Sequence, residues 1–151
     1  MDHDLYNTAI LTLAAGIPHL GTLENPQGAA EKSARLCGSK VGVQVKLDDQ
    51  GRVSDFAQEV KACALGQAAS AILGQHVIGA DLDELIAARD AFRTMVKEGA
   101  PPPKGRFSGL SALAAVKDYP QRHQSALLPF EAVVDAVRDA LGTFHPSTGS
   151  E

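Results

Sequence analysis

The stretch KVGVQVKLDDQGRVSDFAQEV, residues 40–60, decides the fold of this chain. Apolar residues occupy every second position from Val41 to Leu47, which is the period of a strand with one buried face. The DDQG sequence at 48–51 is typical of a tight turn, and residues 52–60 return as a second, less regular strand. The stretch therefore predicts an antiparallel β-hairpin.

Further elements are predicted on both sides of the hairpin. A helix over residues 4–15 opens the chain, residues 17–30 are irregular, and another strand ends at Leu36. Downstream of the hairpin, apolar residues recur at helical spacing. The predicted helices are 63–75, 81–99, 110–116 and a final amphipathic helix ending near 141, with a proline-rich connector at 100–106 and a frayed tail at 142–151. This order predicts one α+β domain over residues 1–151, in which helices pack on one face of a three-stranded antiparallel sheet.

Composition narrows the classes of function. The chain has 151 residues, 44% of them apolar, which is enough for one core of ordinary size. A net charge of −4 without a basic run argues against nucleic acid and anionic membranes as partners. Because no membrane-spanning stretch or signal peptide is recognised, we expect a cytoplasmic protein. Phosphate-loop, dinucleotide, zinc-protease and esterase motifs are missing from the sequence, and we expect a protein that is not an enzyme.

The two cysteines, Cys37 and Cys63, form the candidate site. Two thiols without a secretory leader are poor evidence for a disulfide framework and leave free thiols or metal ligands. Cys37 lies on the turn before the hairpin and Cys63 near the first turn of a helix, so the hairpin can return both to the same end of the sheet. A helix N-terminus favours the thiolate, the form that binds metals. Two inert core thiols are the alternative interpretation.

Two segments carry a family resemblance: LCGSKVGVQVKLDDQGRVSDFAQEVKACALGQAASAIL at 36–73 and YPQRHQSALL at 119–128. They resemble the NifU/IscU/SufU scaffold proteins of iron–sulfur cluster assembly, and the similarity extends from Leu5 to about Leu141. The resemblance implies a SufE/NifU-like fold and a metal site at Cys37 and Cys63. It also implies a transient iron–sulfur cluster or zinc as cofactor, and cysteine desulfurases and cluster recipient proteins as partners.

The chain departs from the family pattern at the site itself. Ser125 stands where the family has its third cysteine, Ser39 where it has an aspartate, and Gln124 where it has lysine or histidine. Hydroxyls stay protonated near neutral pH and are poor ligands beside thiolate, carboxylate and imidazole. Two thiolates fall short of the four ligands that clusters and tetrahedral zinc require. The missing ligands could come from three sources: a second copy of the chain in a homodimer, a low-molecular-weight thiol, or His123.

Three hypotheses follow. The first is a scaffold-type protein that binds iron, zinc or a nascent cluster through Cys37 and Cys63. The second is a docking module that has kept the fold, recruits a desulfurase or carrier, and no longer binds metal. The third is a SufU-like sulfur acceptor, in which one thiol takes persulfide sulfur from a desulfurase and passes it on.

Overall fold

The computed structural model describes residues 6–35 and 38–142, which form a small antiparallel sheet covered by helices. The strands are β1 (Gly28–Ala34), β2 (Ser39–Leu47) and β3 (Val53–Lys61), in the sheet order β1-β2-β3. The α-helices are α1 (Thr8–Ala15), α2 (Ala64–His76), α3 (Leu82–Glu98) and α4 (His123–Ala140). Two 3-10 helices, Gly105–Asp118 and Pro120–Arg122, connect α3 to α4. In these ranges no helix is both long and apolar enough to cross a bilayer.

The central strand β2 carries the alternation that its sequence predicts. Val41, Val43 and Val45 are buried, and their side chains join the hydrophobic core. α4 packs across β1 and β2, while α2 and α3 pack against α4. The α+β prediction of a three-stranded antiparallel sheet with packed helices is confirmed.

β1 begins earlier than the sequence indicates. Residues 17–30 are predicted to be irregular, yet Gly28 already pairs with Val45 of β2. The first three residues of the strand, Gly28 to Ala30, have no large apolar side chain to reveal the period of a strand. The prediction was wrong here because backbone pairing and contact with α4 define the strand, not side-chain alternation.

β3 is irregular because it is covered at its edge as well as on its inner face. Phe56, Ala57 and Gln58 are buried in succession. The segment before β1 runs along this edge, where the Gln58 N–H donates to the His19 carbonyl and the Gly21 N–H donates to the Gln58 carbonyl, both at 2.9 Å. A second row of contacts along the strand removes the simple alternation of buried and exposed residues.

The helix boundaries follow local capping chemistry. α3 begins after Asp81, whose side chain accepts a hydrogen bond from the Glu84 N–H at 2.9 Å, and it ends at Gly99 in the left-handed region (φ 77°). Both signals match the predicted helix at 81–99. The predicted helix at 110–116 is instead part of the 3-10 helix Gly105–Asp118, which Phe107 interrupts. The first predicted helix, 4–15, is shorter in the described residues and begins at Thr8 behind the N-cap Asn7. The tail that is predicted to fray lies, beyond Gly142, outside the described residues.

Candidate metal and sulfur site

Cys63 lies at the junction between β3 and α2. It is the N-cap residue of α2, with extended backbone angles (φ −69°, ψ 173°), and its side chain makes no capping hydrogen bond. Its carbonyl accepts the Gln67 N–H at 2.9 Å, and its thiol is free and half-buried. The prediction that Cys63 opens a helix is confirmed.

Two serines approach the Cys63 thiol from other elements. Ser39 is the first residue of β2, and Ser125 lies in the first turn of α4. The Ser125 Oγ is 3.3 Å from the Cys63 Sγ and 3.0 Å from the Ser39 Oγ. Both serines are buried. A continuous chain of hydrogen bonds therefore runs from Ser39 through Ser125 to the thiol.

A glycine in α2 permits this approach. Gly66 lies one turn after Cys63, and a Cβ built on it would stand 3.1 Å from the Ser125 carbonyl oxygen and 3.2 Å from the Ser125 Oγ. Any side chain at this position would press on the first turn of α4. Gly66 was not predicted to take part in the site, and the signal for it was a glycine inside a helical pattern.

The turn between β1 and β2 closes beside Ser39. The Gly38 N–H donates to the Ala34 carbonyl at 3.0 Å, and Gly38 adopts a left-handed conformation (φ 69°) that favours glycine. Cys37, the other predicted ligand, lies outside the described residues, so its predicted approach to Cys63 stays a prediction.

His123 is turned toward another element. Its ring Nε2 lies 3.1 Å from the Lys117 carbonyl oxygen, and the neighbouring Gln124 side chain is exposed. Over residues 6–35 and 38–142, no three His, Cys, Asp or Glu side chains lie close enough together to hold a metal ion. The described donor set is one thiol and two hydroxyls, which does not complete a zinc or cluster site on its own.

The hydroxyl chain is well suited to an anionic sulfur. A serine hydroxyl can donate one hydrogen bond while it accepts another. With Ser39 donating to Ser125 and Ser125 donating to sulfur, a negative charge on Cys63 Sγ receives a hydrogen bond inside a largely buried site.

Fold and site together define a small α+β protein that presents a cysteine, backed by polar groups from two other elements, at one end of its sheet. The sequence matches the NifU-like N terminal domain over residues 5–126, a range that includes Cys37, Cys63 and Ser125. The chain belongs to this family, the scaffold proteins of iron–sulfur cluster assembly. Scaffolds of this family carry clusters transiently and work with cysteine desulfurases and cluster recipients.

Individual relatives agree with this assignment. The chain is 27% identical over 127 residues to the iron-sulfur cluster assembly scaffold protein IscU of Streptococcus pyogenes, covering 84% of this chain and 79% of that protein. It superposes on the crystal structure of a nitrogen-fixing NifU-like protein (N-terminal) from Brucella abortus with a TM-score of 0.88 and 48% identity, covering 92% and 96% of the two chains. A putative SUF-system scaffold from Fervidobacterium islandicum shares the fold, with a TM-score of 0.81, 23% identity and coverage of 91% and 99%.

Proposed function

We propose that this chain is a scaffold-type protein of iron–sulfur cluster assembly that binds iron, zinc or a nascent cluster through Cys37 and Cys63. The supporting observation is the convergence of Ser39, Cys63 and Ser125 at one end of the sheet. These are three of the four positions at which the family pattern has ligands. Their convergence supports a shared site, in which two of the positions have changed chemistry.

The coordination is completed from outside a single chain. Two thiols per chain leave two ligands to be found, and the two serine hydroxyls already bond to each other. A second copy of the chain or a low-molecular-weight thiol supplies thiolates of the right softness for iron and zinc. We propose a cluster or metal ion held at such a shared site and released to a recipient protein.

Cobalt titration tests this proposal. Co²⁺ replaces Zn²⁺ in thiolate sites and reports each bound sulfur through its charge-transfer absorption. We expect wild-type chain to show this band and to lose it in Cys37→Ala and in Cys63→Ala, while Ser54→Ala on the exposed side of β3 leaves it unchanged. The absence of a thiolate band in the wild type, with or without an added small thiol, would contradict the proposal.

A sulfur acceptor is the second candidate, and the contact between Ser125 and Cys63 favours it. In this reaction the Cys63 thiolate attacks the terminal sulfur of a desulfurase persulfide. A new S–S bond forms on Cys63, the S–S bond on the desulfurase breaks, and the desulfurase cysteine leaves as a thiolate. No external oxidant is needed, and the Ser125 hydroxyl, 3.3 Å from the Cys63 Sγ, can donate to the thiolate that attacks.

Mass spectrometry separates the candidates. Metal-free chain is incubated with a cysteine desulfurase and cysteine, and the peptide carrying Cys63 is examined for one added sulfur atom. A sulfur acceptor gains it, and Ser125→Ala lowers the yield while Ser54→Ala does not. A chain that binds the desulfurase without gaining sulfur or metal is the docking module of the second hypothesis.

A further inference from the structure

A groove lined mainly by charged side chains runs along α4 beside the site. β1 and α3 form its walls and α4 its floor. It extends from Gln124 to Asp135, which is about 16 Å along a helix that rises 1.5 Å per residue. Its volume of about 410 Å³ is within the range of small-molecule sites.

The groove has more positive than negative charge. Lys32, Arg35, Arg89 and Arg93 line it, against the carboxylates of Glu131 and Asp135. Lys32 pairs with Asp135 at 3.2 Å and Arg93 with Glu131 at 3.5 Å, while Arg89 pairs with Asp90 at 3.0 Å. Arg35 is exposed and has no ion pair with any residue in the described ranges. In a chain whose net charge is −4, this local excess marks a surface for an anion.

One end of the groove borders the site. Gln124 directly precedes Ser125 on α4, so their Cα atoms are about 3.8 Å apart. Across the sheet, Ala34 of β1 pairs with Ser39 of β2, and Arg35 directly follows Ala34. The Gln124 end of the groove therefore lies at the same end of α4 as Ser125, and Arg35 lies at the same end of the sheet as Ser39.

We propose that this groove binds the carboxylates of a low-molecular-weight thiol and directs its sulfur to the site at Cys63 and Ser125. The role of that sulfur rests on the proposed scaffold function, because it replaces the thiolate that Ser125 cannot supply. Arg35 offers a planar pair of donors that matches a carboxylate. A tripeptide thiol with carboxylates at its ends spans about 10 Å when extended, so it fits within the length of the groove.

Titration of the metal-free chain tests the binding step. The probes are reduced glutathione, a tripeptide thiol with two carboxylates, and S-methylglutathione, which keeps the carboxylates and blocks the sulfur. We expect both to bind wild type with similar Kd, and Arg35→Ala to weaken both by about tenfold through loss of a charge-assisted hydrogen bond. Arg35→Glu should abolish binding, and added salt should weaken it.

Arg52→Ala is the matched control. Arg52 lies on the turn between β2 and β3, at the other end of the sheet, and also carries an exposed guanidinium. Removing the Arg52 side chain should leave the Kd values of glutathione and S-methylglutathione unchanged. Thermal melting of each variant checks that it is folded. No saturable binding to wild type, or the same Kd in Arg35→Ala as in wild type, would overturn the proposal.

Metal retention tests the sulfur step separately. Zinc bound to the chain is measured after gel filtration with glutathione, S-methylglutathione or 2-mercaptoethanol present. We expect glutathione to increase retained zinc well above the other two, and Arg35→Ala to remove the difference. If glutathione binds but the chain retains no more zinc with it than with S-methylglutathione, the glutathione sulfur is not a zinc ligand and this part of the proposal is refuted. Failure of the wild type to retain zinc, iron or sulfide with any thiol, despite intact glutathione binding, would refute the scaffold function and leave the groove as an anion site.

Discussion

At the scale of single residues, two serine hydroxyls stand beside the Cys63 thiol. The family resemblance implies a cysteine at the position of Ser125 and an aspartate at that of Ser39, and the two hydroxyls bond to each other at 3.0 Å. The family resemblance predicted that Ser125 borders the site at Cys63, and the two side chains are in contact, while the approach of Cys37 stays a prediction. The resemblance did not predict the hydrogen bond between Ser125 and Cys63, because that contact depends on the distance that Gly66 permits between α2 and α4.

Restoring the lost ligands should restore strong metal binding. In Ser39→Asp/Ser125→Cys, a carboxylate and a thiolate replace two protonated hydroxyls. Four-ligand zinc sites contribute roughly 10–16 kcal/mol, so each regained ligand should raise zinc affinity on the order of 100-fold. The gain should increase with pH, since the added thiol must lose its proton to bind. Zinc competition titrations measure it, and adding Gln124→His tests a further ligand.

Equal zinc affinity in wild type and the double variant would contradict this expectation. It would mean that wild type already completes its site by dimerisation or through His123. A rise in melting temperature with zinc, larger for the variant than for wild type, is the independent check, because a ligand that binds only the folded state stabilises it by mass action.

The hydrogen bonds that link Ser39, Ser125 and Cys63 should also contribute to the free energy of unfolding. Ser125→Ala removes the partner of both Ser39 and Cys63 and should lower the free energy of unfolding by about 1 kcal/mol, the usual net value of a buried hydrogen bond. Ser39→Ala should cost a similar amount. Because the two hydroxyls share one bond, Ser39→Ala/Ser125→Ala should cost less than the sum, with a coupling of about 0.5–1.5 kcal/mol. Urea unfolding of wild type, the two single variants and the double variant measures this coupling. If the two single losses of free energy add up to the loss in the double variant, the 3.0 Å contact contributes no energy.

At the scale of elements, the close packing of α4 on β1 positions the site. A Cβ at Gly28 would lie 2.1 Å from the Ala136 carbonyl oxygen and 2.6 Å from the Ala140 N. The backbone of α4 therefore touches the start of β1 directly. That contact was not predictable, because alternation and helical spacing identify the buried face of an element but not how near two backbones come.

Gly28→Ala should move α4 away from the sheet. Overpacking against backbone atoms costs typically about 1–3 kcal/mol, and we expect this substitution at or above the upper end. Gly42→Ala is the matched control: Gly42 lies in the middle of β2, and nothing stands within 4 Å of a Cβ built there. It should leave stability unchanged or raise it by about 0.5 kcal/mol. Equal urea midpoints for Gly28→Ala and Gly42→Ala would show that the backbone of α4 does not pack directly on Gly28.

At the scale of the whole molecule, the order of elements was predictable and the surface was not. The alternation in β2, the caps of α3 and the cysteine at the start of α2 are local signals, and each led to the correct element. The charged groove escaped prediction because Arg35 on the turn after β1, Arg89 on α3 and Glu131 on α4 come together only after folding. The ligand positions are what the family resemblance implies, and the serines at two of them follow directly from the sequence.

We propose that this chain carries metal or a nascent cluster through its two cysteines. The decisive experiment is anaerobic purification of wild type and of Cys37→Ala/Cys63→Ala, with iron, zinc and acid-labile sulfide measured on the same samples. We expect metal, with or without sulfide, on the wild-type chain at one site per two chains or per chain with bound thiol, and none on the variant. Equal metal and sulfide on both proteins, or none on the wild type, would contradict it.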